Sequence, residues 1–305
     1  MRIIFMGTPD FAVASLDALV KNGYNVVAVI TAPDKPAGRG LQLQQSAVKQ
    51  YAVQHNIPVL QPEKLKNPAF LEELRGYSAD LQVVVAFRML PELVWDMPPL
   101  GTINVHASLL PQYRGAAPIN WAIINGEEKS GVTTFKLQHE IDTGNVLFKA
   151  EVPIRADETA GELHDALMRA GAETLLRTVA ALQEGNLHGQ PQQEIEAGEL
   201  KHAPKIFKED CKIDWEQPLE RVYNLVRGLS PYPAAFTTLQ GKTLKIYKAV
   251  PEPSAHDHAP GSAHSDGKTY LKFAAPGGYL SVLELQLEGK KKMGVEEFLR
   301  GFRFS

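Results

Sequence analysis

Short, uninterrupted apolar runs alternate with amphipathic stretches in the first part of the chain. Ile3 to Met6 form one run, a helical pattern follows over residues 11–20, and a second run occupies residues 26–30. A helical pattern over 62–76 precedes another buried strand at 81–87, and a shorter strand at 103–106 precedes a helical pattern over 118–125. Strands that are apolar throughout are typical of parallel sheets covered by helices on both faces. The pattern predicts an α/β domain with a Rossmann-like, doubly wound, mostly parallel sheet.

Helix-capping residues and a change in composition indicate where this domain ends. Pro62 and Gly76 bound one helical pattern, and the capping-box sequence TAGE at 159–162 opens a longer one that runs to about Gln183. The residues that follow lose periodicity and are rich in Gly, Gln, Glu and Pro, as linkers are. We predict a first domain over 1–186 and a linker over 187–206.

The last third of the chain has a different pattern of apolar and polar residues. A helical pattern near 216–227 is followed by short strand-like segments around glycine turns. These segments are 235–239, 243–249, 270–273 and 279–285. They predict a small OB-like β-barrel as a second domain over 207–305. Residues 251–267, rich in Pro, Ser, Gly and Asp, predict a mobile surface loop.

Composition narrows the class of protein. The 305 residues are 44% hydrophobic and 22% charged, which is ordinary globular usage and argues against disorder. The one cysteine, Cys211, excludes an intrachain disulfide and a cysteine-cluster zinc site. No apolar run approaches the roughly 18 residues that span a bilayer, and the first run reaches Gly7 too soon for a signal peptide. We expect a cytoplasmic protein without a membrane partner.

Charge is distributed unevenly along the chain. The net charge is −3, yet residues 201–305 carry 16 Lys and Arg against 12 Asp and Glu. The excess lies largely in the lysines at 290–292 and in Lys242, Lys245 and Lys248. Such asymmetry is a mild indication that the second domain meets a polyanion, although a solvated charged face explains it as well.

The first strand-to-helix turn argues against a dinucleotide cofactor. That fingerprint needs glycines in the order G-x-G-x-x-G, whereas the turn from Gly7 to Ala12 contains one glycine. Asp10 would also lie at the helix N-terminus, where a phosphate would bind. No P-loop sequence occurs in the chain.

The most informative chemistry follows residue 101. Strand side chains alternate, so Asn104 and His106 point to one face at the carboxyl end of a predicted strand, where open α/β sheets bind ligands. Asp142, in an Asp-Thr-Gly sequence one helix and one strand later, could orient the imidazole and stabilise its protonated form. An amide, an imidazole and a carboxylate without a Ser or Cys nucleophile suit a substrate amine that attacks a carbonyl. A structural histidine and a plain Asp-Thr-Gly turn are the alternatives that the residues leave open.

These residues belong to longer sequences that resemble a known family. The matching sequences are MGTPDFA at 6–12, DKPAGRG at 34–40, NVHASLLP at 104–111, YRGAAPI at 113–119 and IDTG at 141–144. Over essentially its whole length the chain resembles the methionyl-tRNA formyltransferases, a family of folate-dependent enzymes. Within the matching sequences, the set formed by Asn104, the His-x-Ser-Leu-Leu-Pro sequence at 106–111 and the Asp-Thr-Gly sequence at 142–144 is shared by all folate-dependent formyl-transfer and formyl-hydrolysis enzymes of this fold. The DKPAGRG loop and the second domain favour the tRNA member.

The resemblance implies a role for each matching position. It implies that Asn104, His106 and Asp142 are catalytic and that the formyl donor is 10-formyltetrahydrofolate, with no metal. The donor would lie along Ser108, Leu109, Leu110 and Pro111. Its pterin pocket would be lined by residues 84–90, including Phe87, Arg88 and Leu90, and by Ile141.

The implied acceptor is the α-amine of methionine on initiator tRNA. Phe11 would face the methionyl group, and Lys35, Arg39 and Arg114 would contact the tRNA. The loop over 33–45 is rich in Pro and Gly and carries two cations suited to phosphates, although a plain surface loop has the same composition.

Two positions depart from the family pattern. Arg88 stands where many members have a glycine, which adds a bulky cation near the expected pterin pocket. Leu41 to Gln44 replace the lysines that tend to follow the Arg-Gly of the tRNA loop, which would weaken its attraction for phosphate.

Several alternatives remain open at the level of sequence. The nearest are formyltransferases that act on an amino-sugar nucleotide or on glycinamide ribonucleotide, and a formyltetrahydrofolate hydrolase. A non-catalytic RNA-binding protein on an enzyme-like scaffold is a rival from another class. His256, His258 and His264 cluster in the 251–267 loop, but no Cys or regular acidic pair completes a metal set. We expect a monomer that binds initiator methionyl-tRNA and the folate donor.

Overall fold

The computed structural model describes residues 1–37, 42–185, 187–192 and 199–304. Its strands, in chain order, are β1 (Arg2–Gly7), β2 (Asn25–Ile30), β3 (Lys35–Ala37), β4 (Gln42–Gln44), β5 (Val59–Leu60), β6 (Leu81–Val85), β7 (Thr102–His106), β8 (Arg114–Gly115), β9 (Lys129–Lys136), β10 (Val146–Pro153), β11 (His202–Ala203), β12 (Ala235–Leu239), β13 (Lys242–Pro253), β14 (Ala263–Ser265), β15 (Leu271–Ala275), β16 (Gly278–Leu287) and β17 (Met293–Gly294). Its helices are α1 (Asp10–Lys21), α2 (Ala47–Gln54), α3 (Pro68–Gly76), α4 (Glu92–Trp95), α5 (Pro118–Ile124), α6 (Ala160–Gln183), α7 (Leu219–Gly228) and α8 (Val295–Gly301). A 3-10 turn covers Glu209–Cys211.

The chain divides into two compact units. The first comprises residues 1–115, 130–152 and 164–202, and the second comprises 116–129, 153–163 and 203–305. Helix α5 belongs to the second unit because it packs on α7, where the Asn120 amide donates to the Gly228 carbonyl over 2.8 Å. The functional boundaries at 186 and 207 stay a prediction.

The predicted doubly wound sheet is confirmed in the first unit. Its seven strands lie in the order β10-β9-β7-β6-β1-β2-β5. The strands from β7 to β5 pair in parallel, and β9 pairs antiparallel with β7. All five residues of β6 are buried, and so are Ile3 to Gly7 of β1. Burial on both faces explains why these strands are apolar apart from Arg2 and Gln82, and the side-chain oxygen of buried Gln82 accepts from the Thr102 hydroxyl over 3.0 Å.

The single glycine of the first turn has a steric role. A Cβ at Gly7 would lie 2.6 Å from the Cβ of Ala12 and 2.9 Å from the carbonyl oxygen of Val85. Gly7 therefore allows α1 and β6 to approach the end of β1 closely, a need that is independent of any phosphate.

Helix boundaries follow the capping chemistry. The predicted start of α3 at Pro62 is wrong, because the Asn67 side chain accepts from the Ala69 amide and the helix begins at Pro68. The predicted start and end of α6 are confirmed. The Thr159 amide donates to the Glu162 carboxylate over 2.9 Å, and the Glu162 amide donates to the Thr159 hydroxyl over 3.3 Å.

The second unit contains the predicted barrel-type sheet, as a curled antiparallel half-barrel in the order β12-β13-β16-β15-β14, with β17 beside β16. Its core joins the sheet to α7 and α8 through residues such as Val222, Leu280 and Phe298. The prediction of a loop over 251–267 is partly wrong, since β13 continues to Pro253 against β16 and residues 263–265 form β14. Helix α8 has no counterpart in the sequence prediction.

The predicted linker is partly ordered. Gln190 and Val146 exchange backbone hydrogen bonds of 2.7 and 2.8 Å, so the segment over 187–192 runs beside the start of β10. Residues 193–198 lie outside the described residues. Among the helices that the structure describes, none has the length and apolar character to cross a bilayer.

Candidate active site

Strand β7 brings two predicted catalytic residues to the carboxyl edge of the parallel sheet. Asn104 is half-buried and lies opposite Val84 of β6 and Phe135 of β9. His106 is the last residue of β7 and is 7% exposed. Alternation along the strand puts both side chains on one face. This edge is where open α/β sheets hold their ligands.

The imidazole of His106 is held in one tautomer. Its Nε2 lies 2.9 Å from the carbonyl oxygen of Tyr113. A carbonyl oxygen can only accept, so Nε2 carries the hydrogen and donates it. In the neutral ring Nδ1 is therefore unprotonated, and it is the nitrogen that can take up a proton.

Asp142 lies on the Nδ1 side of this ring. Its Oδ2 is 4.0 Å from Nδ1 of His106 and accepts a 3.1 Å hydrogen bond from the Gly115 amide. Both side chains are about nine-tenths buried. The structure thus brings together the histidine and the carboxylate that the sequence places far apart.

Unusual backbone conformations surround the pair. Tyr113 has a φ of 59° and Asp142 a φ of 55°, values that non-glycine residues adopt only where their surroundings enforce them. Ala86, at the end of neighbouring β6, has a φ of 48°. Such conformations concentrate at functional sites, so their clustering at this edge supports a functional role.

The loop that carries Asp142 is held from both sides. A Cβ at Gly144 would lie 1.7 Å from the carbonyl oxygen of Lys136, so no side chain fits there. The Gln192 side-chain amide donates to the carbonyls of Asp142 and Gly144 over 2.6 and 3.1 Å. Sequence analysis missed both Gln192 and the Tyr113 carbonyl, because neither contact leaves a signal in periodicity or motif.

The segment over 108–111, predicted to bind the donor, is fixed by internal hydrogen bonds. The Ser108 hydroxyl donates to the Gln112 carbonyl over 2.7 Å. Thr133 donates to the Ser108 carbonyl over 2.7 Å and accepts from the Leu110 amide over 3.1 Å. The Lys149 ammonium donates to the Leu110 carbonyl, and burial lowers the pKa of that lysine. The segment therefore presents a preformed backbone.

Comparison with known proteins places this chain in a family. Residues 1–179 match the formyl transferase family and residues 205–303 match the formyl transferase C-terminal domain. A methionyl-tRNA formyltransferase of Parabacteroides distasonis is 58% identical over 311 residues, which cover 99% of this chain and 96% of that protein. One of Bacteroides fragilis is 56% identical and covers 100% and 96%. The chain belongs to the methionyl-tRNA formyltransferase family.

A solved structure supports the fold assignment. HypX of Aquifex aeolicus in complex with tetrahydrofolic acid superimposes with a TM-score of 0.68 at 21% identity, over 99% of this chain and 48% of that longer one. At this identity the likeness concerns the fold alone.

Within this methionyl-tRNA formyltransferase fold, the predicted pterin-pocket segments lie side by side. Nε2 of His139 is 3.3 Å from the Glu92 carboxylate, and the ring of His139 lies edge-on to that of Trp95 at 5.4 Å. These contacts bring the loop before Asp142 beside α4, which follows residues 84–90. Leu90 is 9% exposed, whereas Ile141 is 60% exposed.

The structure shows what Arg88, the residue that departs from the family pattern near the predicted pterin pocket, contacts. Its guanidinium donates to the backbone carbonyls of Pro62 and Glu63 and lies 5.6 Å from the ring centre of Phe87. The charge is thus directed at the loop before α3. Arg88 ties that loop to the end of β6.

The residues predicted to meet the acceptor lie in different surroundings. Phe11 is 7% exposed and lies edge-on to His164 at 5.2 Å. Lys35 is exposed at the base of a short hairpin, where it pairs with Gln44, and Arg39 lies outside the described residues. The Arg114 guanidinium donates twice to the Gln192 side-chain oxygen, over 3.2 and 2.5 Å. The loop over 33–45, predicted to be irregular, therefore contains two short antiparallel strands, β3 and β4.

The basic excess of residues 201–305 is partly neutralised by ion pairs. Lys291 lies 3.2 Å from the Glu297 carboxylate, and Lys292 lies 2.7 Å from that of Glu284. Exposed pairs of this kind contribute little to stability, yet they reduce the local positive potential.

His256, His258 and His264 make backbone hydrogen bonds and ring contacts within the second unit. Nε2 of His256 donates to the carbonyls of Ala275 and Gly278 over 3.1 and 2.8 Å, and the rings of His258 and His264 lie 4.2 Å apart. Within the part of the chain that the structure describes, no group of three His, Cys, Asp or Glu residues could hold a metal ion.

Proposed function

We propose that this enzyme transfers the formyl group of 10-formyltetrahydrofolate to the α-amine of methionyl initiator tRNA, giving N-formylmethionyl-tRNA for translation initiation. One observation carries the proposal. The buried His106–Asp142 pair lies beside Asn104 in a chain that is 58% identical, end to end, to a protein named methionyl-tRNA formyltransferase.

The donor supplies, when bound, a formyl carbonyl attached to a nitrogen that leaves as an amine. The described residues fit such a group. Segments 84–90 and 137–141 offer apolar side chains and backbone groups suited to a flat heteroaromatic ring, and Arg88 directs its charge elsewhere. The HypX structure, of the same fold, holds tetrahydrofolic acid.

Asn104 and His106 would stabilise the negative charge that develops as the amine attacks. The side-chain amide of Asn104 supplies a neutral N–H donor, and Nδ1 of His106 becomes a charged donor once it has taken up the proton of the amine. Both come from the rigid end of β7. Donors that are oriented before the reaction need no reorganisation when the charge appears.

His106 and Asp142 would move the proton of the amine. As the new carbon–nitrogen bond forms, neutral Nδ1 accepts the proton that the amine gives up. The Asp142 carboxylate, 4.0 Å away, stabilises the imidazolium. The proton then passes to the departing nitrogen as the old carbon–nitrogen bond breaks, so the reaction consumes no net proton.

An α-amine suits a site that offers only a histidine as base. The pKa of an α-amine is about 7.7–8.0, whereas that of a lysine side chain is about 10.4. At about 1.36 kcal/mol per pH unit, a lysine costs roughly 3 kcal/mol more to deprotonate near neutral pH. The difference favours an amino acid ester over a lysine side chain as acceptor.

The partners follow from the acceptor. Exposed Lys35, with Arg39 four residues later in the sequence, provides cations for tRNA phosphates, and the excess of Lys and Arg over Asp and Glu in residues 201–305 provides more. All three catalytic residues come from one chain, which supports a monomer as the active form. Translation initiation would place the enzyme in the cytoplasm.

The direct test offers purified enzyme and radiolabelled 10-formyltetrahydrofolate to two acceptors, methionyl initiator tRNA and an amino-sugar nucleotide. We expect label in the tRNA at a kcat/KM at least a hundredfold above that for the sugar. The proposal fails if the sugar is preferred. It also fails if formate is released at the same rate with and without an acceptor, which is the result expected of a hydrolase.

A further inference from the structure

One side chain outside the motifs joins the loops that form the catalytic pair. Gln192 lies in the predicted linker, beyond the residues matched to the N-terminal formyl transferase domain. Its amide nitrogen donates to the carbonyls of Asp142 and Gly144 over 2.6 and 3.1 Å. Its amide oxygen accepts both hydrogen bonds from Arg114. Each polar atom of this side chain therefore has two partners.

The two loops that Gln192 bridges are those that set the geometry of His106. The residue after Arg114, Gly115, donates its amide to the Asp142 carboxylate over 3.1 Å. The residue before it, Tyr113, accepts from Nε2 of His106 over 2.9 Å. Removal of the Gln192 side chain would take away the hydrogen bonds that join these two segments. Both segments contain a residue with a left-handed backbone conformation, Asp142 in one and Tyr113 in the other.

The amide orientation of Gln192 follows from its partners. Asp142 and Gly144 present carbonyl oxygens, which only accept, and Arg114 presents a guanidinium, which only donates. A glutamate in place of Gln192 keeps an acceptor for Arg114 but sets a carboxylate oxygen against two carbonyl oxygens. The two functions of the side chain can thus be separated by mutation.

We infer that Gln192 is a positioning residue for formyl transfer, which holds the Asp142 carboxylate at its distance from His106 by binding the backbone of the Asp142 loop. The inference rests on the proposed function. It assigns a catalytic consequence to a linker residue that touches neither the donor nor the acceptor.

Steady-state kinetics of Gln192→Ala and Gln192→Glu test the inference. Misplacement of a reacting group by about 1 Å can lower the rate about a hundredfold, so we expect kcat to fall 10- to 100-fold in both variants. In Gln192→Ala the KM values for the tRNA and for the folate should stay within threefold. Exposed Gln190, two residues away on the same segment, gives a matched control, and Gln190→Ala should leave kcat within twofold. A normal kcat in Gln192→Glu would overturn the inference, and so would a rise in the tRNA KM alone in Gln192→Ala. Either result would mean that Gln192 acts by holding the Arg114 side chain and not the Asp142 loop.

A double-mutant cycle separates positioning from general stability. If Gln192 acts through Asp142, adding Gln192→Ala to Asp142→Asn lowers single-turnover rates by less than threefold. A structural role predicts that the two defects multiply, and a combined loss of threefold or more beyond Asp142→Asn contradicts the inference.

A measurement without catalysis keeps the inference apart from the proposed function. The Gly115 amide, which donates to the Asp142 carboxylate, should exchange its hydrogen at least tenfold faster in Gln192→Ala than in wild type or Gln190→Ala. Unchanged exchange overturns the inference. If wild-type enzyme fails to formylate methionyl-tRNA, the proposed function fails, whereas the exchange measurement still decides whether Gln192 holds the loop.

Discussion

Nδ1 of His106 and Oδ2 of Asp142 lie 4.0 Å apart, with Nε2 of the same imidazole held by the Tyr113 carbonyl at 2.9 Å. The backbone thus fixes one ring nitrogen as a donor and leaves the other to exchange protons beside a carboxylate. This arrangement makes the charge of Asp142 as important as its position.

Asp142→Asn tests that charge. The substitution keeps the size of the side chain and an oxygen for the Gly115 amide but removes the negative charge that stabilises protonated His106. We expect kcat to fall by about two to three orders of magnitude, within the range of general acid–base catalysis. Asp157→Asn, at a site whose side chain is 86% exposed, is the control and should behave as wild type. Equal kcat for the two variants would remove Asp142 from the chemistry.

Gly144→Ala tests whether the loop must follow its observed path. A Cβ would meet the Lys136 carbonyl at 1.7 Å, so the Asp142 loop has to move. We expect at least a tenfold loss of kcat. Gly76→Ala is the matched control, because a Cβ there meets nothing within 4 Å and activity should be unchanged. Full activity of Gly144→Ala would mean that the exact course of this loop does not matter for catalysis.

Lys35→Ala tests the exposed hairpin as a tRNA contact. Loss of one phosphate contact should raise the KM for methionyl-tRNA and lower the slope of log KM against log salt by about one, with an unchanged KM for the folate. Lys66→Ala, at an exposed lysine outside the hairpin, is the control. A salt slope equal to that of wild type would exclude Lys35 from tRNA binding.

Glu162→Ala tests the capping box at the start of α6. Hydrogen bonds from the Thr159 amide and hydroxyl lower the pKa of Glu162, which is partly exposed. A lowered pKa in the folded state gives stability that is present above the ordinary value of about 4.3 and is lost as the pH falls. The variant should lose at most about 1 kcal/mol at pH 7 and melt at a lower temperature.

Melting temperatures at pH 7 and below pH 4 measure this effect. The difference between wild type and Glu162→Ala should shrink at the lower pH, whereas Glu173→Ala, exposed on the same helix, should match wild type at both. A difference that grows on acidification would contradict the capping assignment.

The sequence predicts the elements whose signals are local. Burial on both faces makes β1 and β6 mostly apolar, and the Thr159–Glu162 capping box marks the start of α6 within its own first turn. Helix α8 escaped prediction because it is only one to two turns long and is stabilised by burial of Phe298 and Leu299 in the core of the second unit. Likewise, β14 is held by its pairing with β15.

Some residues of the candidate site could likewise be predicted from the sequence, and others could not. Asn104 and His106 could be predicted because strand alternation places them on one face, and Asp142 because its motif resembles that of a family. Gln192 could not, because its partners are backbone carbonyls of a distant loop, which no side-chain pattern encodes.

His106 carries most of the proposed chemistry, and one comparison tests its role directly. Turnover of methionyl-tRNA and equilibrium binding of the folate donor are measured for wild type, His106→Ala and the control His55→Ala, an exposed ring stacked on Tyr51. We predict that His106→Ala lowers kcat by about two to four orders of magnitude while donor binding stays within threefold, and that His55→Ala changes neither. A kcat for His106→Ala within threefold of wild type would contradict the account.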